Sequence, residues 1–131
     1  MKVLGNIHAI GEAVHITSDE SVSWNQVYNI IANCLNVELK PVHITSDLLD
    51  ALSGGVYDLR GSLLGDKAHS VIFDNTKIKR LAPDFCAKVR LDEGMKLTIS
   101  HILNNPHLQR ADPEFDLWCD KVIAALEKVR I

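Results

Sequence analysis

A chain of 131 residues suits one domain or part of one. Its apolar fraction of 47% supports a core and argues against disorder, and a formal net charge of -3, with acids and bases interleaved, leaves no electrostatic footprint for nucleic acid. The apolar runs are only a few residues long and Gly5-Asn6 follows Met1–Leu4 at once, which argues against a membrane span and a secretory signal.

Val14-His15-Ile16-Thr17-Ser18-Asp19 recurs unchanged as Val42-His43-Ile44-Thr45-Ser46-Asp47. Val-His-Ile favours a short strand, and Thr-Ser-Asp supplies oxygens that cap a following helix. Between the copies, Ser23-Trp24-Asn25-Gln26 has the S-x-x-Q form of a capping box. Val27, Ile30, Ile31 and Cys34 then make one apolar helical stripe, and Asn36 can end that helix in the left-handed region. Strand, helix and strand in so few residues predict a βαβ unit with parallel strands.

Further along, Asp47 is placed to cap a short helix over residues 48–52, which Ser53-Gly54-Gly55 breaks. Residues 56–64 read as another helical turn or two, and Gly65-Asp66 as a turn. Ser70–Phe73 reads as a third strand, and Asp74 or Asn75 caps a helix that stops near Leu81, before Pro83. Asp92 is the expected cap of a helix carrying Met95, Ile99, Ile102 and Leu103, ending before Pro106. Asp112-Pro113 opens a last helix whose Phe115, Trp118, Val122, Ile123, Leu126 and Val129 form a long apolar stripe, read as core. The expected fold class is therefore α/β: a single domain, 1–131, with a small, mostly parallel sheet from residues 12–18, 37–44 and 70–73 and covering helices.

Catalytic signatures are scarce. There is no glycine-rich phosphate loop, no G-x-S-x-G elbow, and neither Tyr28 nor Tyr57 has a lysine four residues later. The six histidines show no metal-ligand spacing, and His15 and His43 are read as satisfied side chains in or beside the sheet. Cys34, Cys86 and Cys119 lie far apart among apolar residues, which predicts buried free thiols and a cytoplasmic protein. No catalytic, cofactor-binding or metal-binding residue is assigned.

Several passages resemble one family. Gly5-Asn6 through Thr17-Ser18, then Ser21-Val22-Ser23-Trp24, then Gly65-Asp66 with Asp74-Asn75-Thr76-Lys77, and finally Asp92-Glu93-Gly94 occur in the order and rough spacing of NAD-dependent epimerases/dehydratases of the extended short-chain dehydrogenase/reductase family. The match is to the C-terminal, substrate-binding part. The resemblance implies the C-terminal part of that family's fold and a portion that binds a nucleotide-sugar. Such a portion is inactive alone, because NAD(P) and the catalytic residues belong to an N-terminal Rossmann half. It also implies that Met1–Leu4 is the tail of a helix beginning upstream, and that a homodimer covers the apolar residues Val3, Leu4, Ile7 and Ile10. Asp66 is the residue that would hold the substrate nucleotide. The arginine that the family places three residues earlier is Leu63 here, so Lys67 or Arg60 would have to supply the charge for a diphosphate. Leu81-Ala82-Pro83 also departs from the family's Leu-Gly-Trp. The alternative is a non-catalytic binding or scaffold module of the same wider family.

Overall fold

A computed structural model describes residues 3–65 and 67–129. Among these residues every regular element is helical. The α-helices are α1 (Trp24–Leu35), α2 (Ser46–Ser53), α3 (Thr76–Leu81), α4 (Leu91–Leu103) and α5 (Pro113–Val129). Short 3-10 turns occupy Ile7–Ala9 and Pro106–Leu108, and a π-helical turn runs over Arg60–Gly65.

The expected α/β fold with a parallel sheet is therefore corrected, and with it the extended short-chain dehydrogenase/reductase architecture. Residues 12–18, 37–44 and 70–73 form no ladder. The physical reason is that β propensity sets a strand's local conformation, whereas a sheet also needs a neighbour in register. The first Val-His-Ile copy meets the 73–75 stretch through side chains instead. His15 stands edge-on to Phe73 with ring centroids 5.0 Å apart, and Asn75 Nδ2 donates to the Thr17 carbonyl at 3.2 Å. The second copy belongs to the other contact unit, and neither copy forms a strand, so the expectation of neighbouring parallel strands is corrected.

Contacts divide the chain into two compact units, Met1–Leu39 with Val71–Asn104, and Lys40–Ser70 with Asn105–Ile131. In the first unit α1 packs on α4. The α1 start is as the sequence predicts: Ser23 Oγ accepts from the Gln26 N–H, while the Gln26 side chain accepts from the Ser23 N–H at 2.7 Å. Asn36 ends the helix at φ 54°, its N–H bonded back to the α1 carbonyls. Ser23→Ala should cost about 1 kcal/mol and lower the amide protection of the first turn of α1 in hydrogen exchange. An unchanged first turn would show that the packing of α1 on α4 alone sets its start.

The start of α4 differs from expectation. Arg90, not Asp92, holds the N-cap position and offers no side-chain cap; Asp92 lies in the first helical turn. The free Leu91 N–H instead donates to Glu20 Oε2 at 2.9 Å, a carboxylate brought from far along the chain to the positive end of the helix.

The second unit holds α2, the π turn and α5. Thr45 caps α2 through Oγ1, so helix α2 starts at Ser46, and Asp47 sits in its first turn rather than at its cap. Gly54 closes α2 at φ 58°, a conformation that a side chain would strain. Asp112 Oδ1 accepts from the Phe115 N–H at 3.2 Å, which caps α5 as predicted. Tyr57, Phe115 and Trp118 then form an aromatic cluster with centroids 5.0–5.7 Å apart.

Burial is sparse. Among the described residues, Ala32, Ile78 and Ala82 in the first unit and Val122 in the second are the buried apolar side chains. Leu4, Ile7 and Ile10 are 73–79% exposed, and Ile72 is 80% exposed. The expectation that cysteines are buried is corrected at Cys86, which is exposed; Cys34 and Cys119 are half-buried, and all three are free thiols.

Candidate functional site

Of the residues predicted to bind substrate, Arg60 and Lys67 lie at or just beyond the π turn. Arg60 opens that turn with its guanidinium largely exposed, and Nη1 lies 3.7 Å from an Asp50 carboxylate oxygen. Lys67 follows the turn, and its Nζ donates to the Ser62 carbonyl at 3.1 Å. Asp66 and its predicted nucleotide contact lie outside the described residues, as do Met1 and Lys2 of the predicted helix tail. The turn itself is held by Asp58, whose side chain accepts from the Gly61 N–H and whose carbonyl accepts from Ser62 Oγ. The turn starts on the exposed cation Arg60, which lies near Asp50, and is followed by the exposed Lys67.

An open groove of about 480 Å³ lies between α1 and α4 in the first unit. Ile30, Asn33 and Cys34 line one wall, and Asp92, Glu93, Lys96 and Ser100 the other. Two carboxylates against one ammonium make it a poor receptor for a diphosphate. Arg90 Nε adds a contact to Asp92 at 3.2 Å, which leaves that carboxylate engaged locally.

The Asp74-Asn75-Thr76-Lys77 passage has a local job. Asp74 Oδ1 accepts from both the N–H and the hydroxyl of Thr76, at 2.8 and 2.6 Å, and so covers the N-terminus of α3. Those Thr76 bonds, with the Arg80 and His15 charges, hold the Asp74 carboxyl below its ordinary value. Asn75 Nδ2 and Lys79 Nζ both reach Asp19, and Lys77 Nζ pairs with Glu12. The Lys79 and Asn75 hydrogen bonds lower the Asp19 pKa, and the Lys77 hydrogen bond and charge lower that of Glu12.

The sign of the resulting pH effect is fixed. Carboxyls with depressed folded values contribute stability above their unfolded values, ordinarily 4.5 for glutamate and 3.8 for aspartate, and lose it as pH falls through the folded ones. Thermal melts should therefore show the first unit weakening below roughly pH 4 while being flat from pH 5 to 7. A melting point that does not move between pH 5 and pH 3 would show these pairs to be irrelevant to stability.

In the second unit, burial and then the Asp112, Glu114 and Cys119 charges push the Tyr57 hydroxyl above its ordinary value. Burial, then Asp116 and Asp120, does the same for the Cys119 thiol. Both stay neutral at pH 7, which suits packing and not nucleophilic attack. Tyr57 carries no signal in sequence, because its aromatic partners lie on a helix more than fifty residues away.

Among the described residues no group of three His, Cys, Asp or Glu side chains is placed to hold a metal ion, and no helix is long and apolar enough to cross a membrane. Comparison with family models, curated proteins and solved structures returns no match.

Proposed function

We propose that this chain is a binding portion of a larger enzyme: the substrate-binding part of an NAD(P)-dependent nucleotide-sugar epimerase or dehydratase, inactive alone and completed by a Rossmann-type partner. The observation that carries the reading is the imbalance of burial. A chain that buries Ile78 and a few smaller side chains, while Leu4, Ile7, Ile10 and Ile72 stay mostly exposed, has apolar surface of the kind another polypeptide covers. The substrate class rests on the sequence resemblance and on Arg60 and Lys67, the two cations flanking the π turn. Free thiols throughout fit a reducing cytoplasm.

Within that reading the chain itself holds no NAD(P), and its ligand is the diphosphate of a nucleotide-sugar. Thermal shift and calorimetry with a panel of nucleotide-sugars should give stabilisation that Arg60→Ala and Lys67→Ala each reduce. NAD(P) titrated against the same chain should give no binding tighter than about millimolar, and a micromolar dissociation constant would overturn the division of roles. The scaffold reading gains from the negative charge of the α1–α4 groove, which is unsuited to phosphates. It is favoured if no nucleotide-sugar shifts the melt while sedimentation shows self-association through the exposed N-terminal apolar residues.

A further inference from the structure

Residues 6–20 run beside α3 and reach α4 with no backbone ladder to hold them. Their attachments are side-chain bonds, spaced along the segment. Asn6 Nδ2 donates to the Leu81 carbonyl at 2.8 Å, at the far end of α3. Glu12 pairs with Lys77, and Asp19 with Lys79 and Asn75. Glu20 then takes the Leu91 N–H and lies 3.5 Å from Arg90 Nη2, which ties the segment's end to the start of α4. Arg90 is shared with Asp92, and His15 stands edge-on to Phe73.

We propose that residues 6–20 are a charge-latched strap, and that the strap and α3 open together as one local unit when the latches are screened or neutralised. Two physical facts support this. A helix of six residues has almost no stability of its own in water, so α3 persists only while its surroundings hold it. Besides the burial of Ile78, those surroundings are exposed ion pairs, which are individually weak and sensitive to salt. By contrast α1 and α4 are twice as long and pack on each other, so they need no strap. The opening is therefore local and not unfolding of the unit. Ile78 and Ala82 are the apolar side chains of α3 and its C-cap that the closed state buries.

Hydrogen exchange read by mass spectrometry tests this on the whole chain. The reporters are the amides of Lys79, Ala82 and Phe85, bonded to Asn75, Ile78 and Ala82 carbonyls, and the Leu91 amide bonded to Glu20. Raising sodium chloride from about 0.02 M to about 1 M, which shortens the screening length to about 3 Å, should speed their exchange by about threefold to tenfold. The amides in the bodies of α4 and α5 should be unmoved. Asp19→Asn with Glu20→Gln should reproduce the effect at low salt, and Glu127→Gln, a charge change on exposed α5 surface, should not. The proposal is overturned if the α3 reporters ignore both salt and the double variant. It is equally overturned if α4 and α5 speed up in step with α3, which would mean global unfolding.

Discussion

Ile78→Ala should destabilise the first unit by about 2–4 kcal/mol. Ile78 is 1% exposed and is the largest side chain among the fully buried described residues. Removing three carbons there costs their transfer from water and leaves a cavity that the surroundings fill only in part. The surroundings have little to give. Ala32 and Ala82, the other buried apolar side chains among the described residues of this unit, are already minimal, and α3 is anchored by side-chain bonds at both ends. A loss of that size is a large share of the 5–15 kcal/mol that folded domains typically possess. Urea titration followed by circular dichroism should show the midpoint falling sharply, with Ile78→Val falling by about a third as much. A shift below about 0.5 kcal/mol for the alanine variant would mean that the Ile78 side chain is packed too loosely to matter to the unit's stability.

The fold is legible in the sequence where the physics is local. The Ser23–Gln26 box, the Asn36 stop, the Asp112 cap and the Pro106 boundary are each decided within a few residues, and each stands as read. It is not legible where the outcome depends on partners distant in the chain. Val14–Ile16 and Val42–Ile44 are β-prone in isolation, but a sheet requires neighbours, and Asn75 and Phe73 engage the first copy by side chain instead. The capping of α4 is hidden for the same reason. Asp92 is adjacent in sequence, yet Glu20 supplies the carboxylate because residues 6–20 carry it there. Of the candidate binding residues, Arg60 and Lys67 are legible only as charges near a turn. Nothing in their spacing announces a π turn, whose start is braced by Asp58 through its bonds to Gly61 and Ser62. The Asp74–Lys77 passage was legible as a helix start, and its covering of α3 gives those residues a structural role whether or not a ligand binds nearby.

Trp118→Ala should cost the second unit about 2–4 kcal/mol, toward the lower end for truncating a large aromatic because the ring is only half-buried. The ring lies 5.0 Å from Tyr57 and 5.7 Å from Phe115, and Tyr57 stands edge-on to Phe115 at 5.1 Å. These separations fall in the range where aromatic quadrupoles attract, which adds about 0.5–1.5 kcal/mol per pair to the area buried. The cluster also ties elements far apart in sequence, since Tyr57 precedes the π turn and the other two rings project from α5. Removing the indole takes two of the three ring contacts at once, so α5 and the 56–65 stretch should lose protection together. Trp118→Phe keeps one ring in place and should cost about 1 kcal/mol. Guanidinium titration followed by far-ultraviolet circular dichroism separates the two, and fluorescence of the remaining Trp24, which is 59% exposed in the first unit, reports whether that unit is disturbed. A cost under about 1 kcal/mol for the alanine variant would place the indole on a free surface. The Tyr57–Phe115–Trp118 trio would then be a platform open to a ligand, and the nucleotide-sugar titrations should be repeated on this variant, where loss of the thermal shift at unchanged stability is the expected signature.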